Sequence, residues 1–270
     1  MTFHESVIKL SNHYFATAAD LLQQDALDPD AIHDIRVLMK RLRGLLRLYA
    51  VAGQRAEADQ LNPLLRDVAG AFAGQRDAHV LAETLLQLTH SASKPVAMRL
   101  LAIRDGLQDD SVAAEAPDVS ALVNELAWAQ QQWNAWFVDQ DDDSLLDALA
   151  RHYRRNRKQG REALRLRDRE VLHDWRKRVK YLHYQLCALP DAEARFDGLL
   201  QRTRKLGSLL GKVHDLDVLA DYLEQQHGCD SDIRRLLAKR RTRLVKKIRR
   251  LYRRLFSRPT REFRKRIAAT

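Results

Sequence analysis

Cysteine is nearly missing from this 270-residue chain: only Cys187 and Cys229 occur, 42 positions apart and outside any metal-type spacing. That excludes a disulfide framework and a thiolate-built zinc site. Long apolar runs are missing too. Each is broken by Arg, Lys, Asp or Gln well before the roughly 20 residues a bilayer requires, and Met1–Leu10 has no basic-then-apolar signal layout. The chain is therefore expected to be cytoplasmic, without a transmembrane segment. No alternating run long enough to make a strand appears. There is no nucleophile elbow, Walker loop or paired-carboxylate site, so no enzyme reading is supported and no metal or cofactor is expected.

Instead, apolar residues recur at spacings of three and four almost everywhere, which predicts an all-α protein. With 45% hydrophobic and 31% charged residues, the chain can bury a sizeable core. Proline and glycine mark the joints. Asp28-Pro29 predicts an N-cap followed by proline in the first turn of a helix running to Ala52 before Gly53, and Asn62-Pro63 predicts a second start of the same kind. Pro95, Pro117, Pro190 and Pro259 predict further breaks. The polar run Asp139–Asp143 is the best boundary between two halves, after Trp128, Trp133 and Trp136, which are expected to pack in the core or between halves.

Two short phrases are repeated in the same order. His33-Asp34-Ile35-Arg36 is answered by His173-Asp174-Trp175-Arg176 about 140 residues later, each opening a basic helix. Gly70-x-x-x-Gly74 with Arg76-Asp77-x-x-Val80 is answered by Gly207-x-x-x-Gly211 with His214-Asp215-x-x-Val218. Repetition of both landmarks implies internal duplication. The glycines fall inside helical patterns, where each costs about 1 kcal/mol relative to alanine, so close helix approach is expected to compensate.

Charge is distributed unevenly. Residues 1–150 hold 12 Lys/Arg against 22 Asp/Glu, whereas residues 151–270 hold 35 against 14. In the acidic half, five of the 12 cations fall between Arg36 and Arg47, on the repeated helix itself. On a helical wheel His33, Arg36, Lys40, Arg43 and Arg47 occupy an arc of about 80°, opposite Ile35, Leu38, Leu42, Leu46 and Tyr49. His173, Arg176, Lys180 and His183 occupy the same arc of the second copy. Neither arc carries an acid. Cations one turn apart suit a polyanion, because arginine can grip two phosphate oxygens while lysine and histidine add point charges. The competing reading is a surface helix neutralised by acids from its neighbours.

The runs His173-Asp-Trp-Arg176-Lys177-Arg-Val-Lys180-Tyr-Leu-His183-Tyr184 and His33-x-x-Arg36-Val37-x-x-Lys40-Arg41-Leu42-Arg43 closely resemble the two signature helices of CHAD domains, α-helical domains named for their histidines. The glycine-to-aspartate stretches before Val80 and Val218 resemble the family's other landmark. The resemblance covers about residues 3–256 and implies one domain of two four-helix-bundle-like halves, about 3–138 and 144–256, related by a pseudo-two-fold, with a basic tail at 257–270. A basic central groove or pore is implied between them. Family members bind inorganic polyphosphate and associate with polyphosphate granules. Carried over by position, the ligand contacts are His33, Arg36, Lys40 and Arg43 from the first copy, and His173, Arg176, Lys180, His183 and Tyr184 from the second. Arg47, Arg76, Lys177 and Lys212 are their neighbours. The stretch Tyr153–Lys158 resembles a basic Tyr-Arg segment of the family and adds Tyr153, Arg154 and Arg157. Asp77 and Asp215 are expected to orient nearby cations. One departure is that Gly74-to-Asp77 is one residue shorter than Gly211-to-Asp215, which unsettles the roles of Arg76 and His214. The chain has no Glu-x-Glu-x-Lys signature of the triphosphate-tunnel domain often fused to CHAD, so it is expected to stand alone.

The expected function is non-catalytic polyphosphate binding. Two alternatives remain. A nucleic-acid surface would use the same positive field, but base stacking requires aromatics among the cations and only Tyr184 falls near the arc. A metal-dependent phosphohydrolase is suggested by three His-Asp pairs, yet adjacent helix residues diverge by about 100° and the neighbouring cations would repel a metal ion. Histidines that contact phosphate as cations would make affinity rise between pH 8 and 6. From Arg234 to Arg266 there are 17 Lys/Arg and one acid, Glu262, with Leu237, Leu244, Ile248, Leu251 and Leu255 forming an apolar stripe. That helix is expected to dock on the body and turn its cations outward, as an extension of the polyphosphate track, a nucleic-acid surface or, least favoured for want of Trp or Phe anchors apart from Phe256, a contact for anionic lipid headgroups.

Overall fold

The structure, a computed structural model, describes residues 1–24, 27–72, 74–109, 117–226 and 230–269, with the side chains of residues 74–79 and 108–109 outside that description. Among the described residues there are eleven helices and no strand. These are α1 (Phe3–Leu22), α2 (Pro29–Ala52), α3 (Arg55–Gly70), α4 (Gly74–Thr89), α5 (Lys94–Asp109), α6 (Val119–Trp136), α7 (Asp142–Leu166), α8 (Arg169–Cys187), α9 (Ala192–Gln226), α10 (Ser231–Leu255) and α11 (Thr260–Ala268). None is long and apolar enough to cross a membrane.

Aspartate sets five of the eleven starts. Asp28, Asp118, Asp141, Asp168 and Asp230 each accept backbone N–H groups from the first turn of α2, α6, α7, α8 and α10, satisfying donors that have no intrahelical partner. The polar run at 139–143 also joins two helices: the Asp142 carboxylate accepts from the Phe3 and His4 N–H groups at 2.9 and 2.8 Å.

Helix α2 packs against α1 and α3, and α4 against α5, while α6 lies on α1. In the second part of the chain α8 packs against α7 and α9, and α10 against α9, while α11 lies on α7. Helices α2, α7 and α8 meet in the middle. One aromatic core is centred on Trp133, with Phe15, Tyr49 and Phe137 at centroid distances of 5.8, 5.7 and 5.3 Å. Trp133 is buried as expected, but Trp128 is 46% exposed and meets only the edge of Trp136.

Three expectations are corrected here. Asn62-Pro63 does not open a helix: Pro63 lies inside α3. It is exposed, so the lost backbone bond falls on the solvent side, where water replaces it. Gly70, Gly207 and Gly211 do not mark closely approaching backbones, and the surroundings of Gly74 lie outside the described residues. Gly70 has no atom within 4 Å of where a Cβ would stand, and at Gly207 and Gly211 the neighbours are the Lys180 and Arg176 side chains at 3.7 and 3.6 Å, ordinary contact distances. Gly70 ends α3, whereas α9 runs unbroken through Gly207 and Gly211. Finally, the described part of the basic tail, residues 257–269, is not a bare tail, because α11 buries Phe263 and Ile267 against the body.

Candidate functional site

Helix α2 buries Ile35, Leu38, Leu42, Leu45 and Leu46 and therefore turns Arg36, Lys40, Arg43 and Arg47 to one side. Helix α8 buries Leu172, Trp175, Val179, Leu182 and Leu186 and turns Arg176, Lys177, Lys180 and Tyr184 the same way. The two rows line one cleft of about 1330 Å³. Lys212 of α9 also lines it. So do Arg55 of α3, Arg151, His152 and Arg155 of α7, Arg178 and Tyr181 of α8, His214 of α9 and Arg240 of α10, none of which belonged to the site expected from sequence. Among the described lining residues there are 13 Lys/Arg and four acids, Asp59, Glu83, Asp174 and Asp215.

Helices α2 and α8 approach closely at Gly44, where a Cβ would stand 3.1 Å from Tyr184 Cδ2 and 3.4 Å from Tyr181 Cδ1. This leaves room for two rings that fill the crossing. The Arg47 guanidinium then lies over the Tyr181 ring at 4.5 Å, a cation–π contact between the two repeated helices. Arg43 Nε donates to Asn62 Oδ1 at 3.0 Å, and burial pulls its ionisation below the usual arginine range, with Arg47 opposing its charge further. On α9, Gly207 and Gly211 let the Lys180 stem and the Arg176 guanidinium lie across the helix surface.

In the cleft Asp59 pairs with Arg55 at 3.3 Å and Asp174 with Lys177 at 3.2 Å. Both pairs are exposed, so each contributes at most about 1 kcal/mol. Thirteen cations in a concave, partly desolvated space leave a field that raises the local concentration of anions.

The histidines behave differently from one another. His173 Nδ1 lies 3.1 Å from His214 Nδ1, so one ring donates the N–H that the other accepts. Burial first, then His214 and Lys177, hold His173 down at about 4, and His214 is lowered as well by burial and Arg176. His152 Nε2 donates to the Arg47 carbonyl at 3.1 Å, tying α7 to α2, and burial holds its ionisation at about 4. His183 turns away from the cleft toward Thr203 Oγ1 at 3.0 Å and Cys187, and burial with Arg204 and Arg41 nearby puts it also at about 4.

Of the residues expected from sequence, Arg36, Lys40, Arg43, Arg47, Arg176, Lys177, Lys180, Tyr184 and Lys212 come together in the cleft. His173 stands behind it, bonded to His214, and His33 is half-buried on α2 outside the lining. His183 faces the α8–α9 interior. Tyr153 is a core residue, 1% exposed, whose hydroxyl donates to the Leu255 and Arg258 carbonyls. Arg154 and Arg157 flank it and do not line the cleft. Arg76 and Asp77 lie outside the described side chains. On α7 the buried Leu145, Leu149, Tyr153 and Gly160 share one face. The cleft takes the flank that carries Arg151, His152 and Arg155. The wheel separates those flanks, but which of them meets α2 is a tertiary fact.

Among known families, the model described as CHAD domain matches residues 10–224, from within α1 to within α9 and across both repeated basic helices. No curated protein matches the chain.

Proposed function

The chain belongs to the CHAD domain family, whose match spans most of its length, and from that premise we propose that it binds inorganic polyphosphate in the α2/α8 cleft without transforming it. The observation that carries this reading is the convergence of Arg36, Lys40, Arg43 and Arg47 with Arg176, Lys177 and Lys180 on one cleft that has 13 cations and four acids among its described lining residues. A linear phosphate polymer brings one charge per unit at a spacing that two cation rows can follow, with arginine forks gripping paired oxygens.

We take the site to be a basic groove between two duplicated halves. Matching contacts support that: α1 on α2 and α7 on α8, α2 on α3 and α8 on α9, α4 on α5 and α9 on α10, α1 on α6 and α7 on α11. The domain is taken as residues 3–256, and recruitment to polyphosphate granules follows from the same affinity.

A nucleic acid is the competing ligand. Tyr181 and Tyr184 add two aromatic rings to the cleft, but Arg47 already covers one face of Tyr181 and Tyr184 packs at the helix crossing, which favours a ligand that does not stack. Replacing Arg36, Lys40, Arg176 and Lys180 by alanine tests the reading. Helical content should persist while polyphosphate affinity collapses and its log–log salt slope falls by about 3, at roughly 0.7 per contact. An unchanged affinity removes the cleft as the site. Displacement of bound polyphosphate by single-stranded RNA at equal or lower phosphate concentration reverses the ligand assignment.

A further inference from the structure

The cleft does not account for the most basic element, α10. Its buried face comprises Ile233, Leu237, Leu244, Val245, Ile248 and Leu255. Beside that face, Arg240, Arg243, Lys247, Arg250 and Arg254 stand at i, i+3, i+7, i+10 and i+14. That is the spacing of His33, Arg36, Lys40, Arg43 and Arg47 on α2, and it places the five cations within an arc of about 80° along about 21 Å of helix.

Two features separate this row from a solvated basic surface. No acid occurs in the sequence between Asp232 and Glu262, and no acid from another described helix pairs with any of the five. Some cations elsewhere on α10 do have partners: Arg234 meets Glu224 at 3.0 Å, Arg241 meets Asp217 at 2.8 Å, and Arg249 donates to the Leu164 carbonyl at 3.1 Å, whereas Lys239, Lys246 and Arg253 are exposed like the row and widen its positive field. A helix chosen for solubility would mix signs along its face. The second feature is continuity. Arg240 lines the cleft, together with Leu244 behind it, whereas Arg243, Lys247, Arg250 and Arg254 are exposed outside it. The row therefore begins in the cleft wall and runs out along the surface.

We propose that this face of α10 is a second phosphate-binding track, which takes up the part of a long polyphosphate chain that leaves the cleft at Arg240. The proposal rests on the cleft reading above and adds a preference for long chains. Once the cleft holds one segment, the rest of the polymer is presented to the row at high effective concentration, so weak contacts on an exposed helix add to overall affinity.

The test uses the full chain with Arg243, Lys247, Arg250 and Arg254 all changed to glutamine, and two polyphosphates. One is short enough to lie within the ~21 Å span of the cleft row, and the other is several times longer. Binding is measured as a function of salt, with helicity checked by circular dichroism. The four side chains are exposed, so the fold should be kept. Short-chain affinity is expected to stay at the wild-type value, while the long-chain salt slope falls by about 3 and the wild-type preference for the long chain disappears. An unchanged long-chain slope overturns the track and leaves the cleft reading standing. Loss of both chains by this variant makes α10 the primary site and overturns the cleft. A larger loss for single-stranded RNA than for long polyphosphate overturns the assigned ligand of the row.

Discussion

The side-chain amide of Gln185 donates to the backbone carbonyl of Gly44 at 2.8 Å, and both residues are buried. This bond crosses from α8 to α2 at the point where a Cβ on residue 44 would stand 3.2 Å from Tyr184 Cβ, an atom fixed to the α8 backbone. The crossing therefore sets the separation of the two cation rows. Gly44→Val is expected to force the helices apart and destabilise the protein by about 1 to 3 kcal/mol, as overpacking does. Thermal melting should show a midpoint lower by several degrees, with weaker polyphosphate binding. A variant as stable as the wild type would mean that the crossing yields without strain.

The His173–His214 pair makes binding proton-linked. Without ligand, burial, His214 and the neighbouring Lys177 and Arg176 hold His173 at about 4, and Asp174 only partly offsets them; Asp217 opposes the lowering of His214. His173 is then neutral between pH 6 and 8, and His214 is shifted in the same direction. A phosphate beside the pair favours the imidazolium and raises its value in the complex. Affinity then rises as the pH falls through the bound value, and it saturates only near the unliganded value of about 4. The rise expected of an unperturbed histidine between pH 8 and 6 is thus moved lower, and affinity should still be increasing below pH 6. Calorimetry at pH 6 in buffers of different ionisation enthalpy should register proton uptake, and His173→Gln with His214→Gln should abolish it. A wild-type profile that stays flat from pH 7 to 5 would exclude the pair from binding.

Several of these features were legible from residue order alone. Asp28-Pro29 and Gly53 gave the bounds of α2 because caps and proline act locally. The acid-free arcs gave Arg36, Lys40, Arg176 and Lys180 because helical phase is a sequence property. Tyr153, placed by the family resemblance, is a core residue, whereas His183 is misplaced by the wheel. A wheel gives the angle of a side chain about its own axis and not which neighbour waits there, so His183 shares an arc with Arg176 yet meets Thr203 of α9. Arg151, Arg155, Arg178 and Arg240 enter the cleft through the packing of α7, α8, α9 and α10 around α2. Tyr181 was missed because only the approach at Gly44 brings Arg47 over its ring.

His152 and His183 should make the protein sensitive to mild acid. Burial keeps each at about 4 in the fold, against roughly 6.5 in the unfolded chain. As pH falls below the unfolded value, the unfolded state takes up protons that the folded state refuses. Stability is therefore full above about pH 6.5 and lost progressively toward pH 4. The carboxylates of Asp67, Asp141 and Asp230, lowered by hydrogen bonds, release their contribution only at still lower pH. Urea midpoints between pH 7.5 and 4.5 should fall steadily, and His183→Gln should reduce the slope. A constant midpoint across that range would show that neither histidine is kept neutral.

Helix α11 is expected to matter through packing more than charge. The Phe263 ring stacks on Tyr153 at 4.0 Å between centroids, 2% exposed, while the Tyr153 hydroxyl holds the Leu255 and Arg258 carbonyls at the end of α10. Next to it Arg264 reaches Asp143 and Asp147 at 2.7 and 2.6 Å, both acids being more than half exposed. Removing a buried ring from such a site costs about 3 to 5 kcal/mol, whereas an ion pair with exposed acids is worth at most about 1 kcal/mol. Phe263→Ala should therefore lower the denaturant midpoint much more than Arg264→Gln. If the two variants behave alike, with little loss in either, residues 257–270 act as the loose basic tail that their composition suggests, and α10 is held by its own apolar stripe on α9.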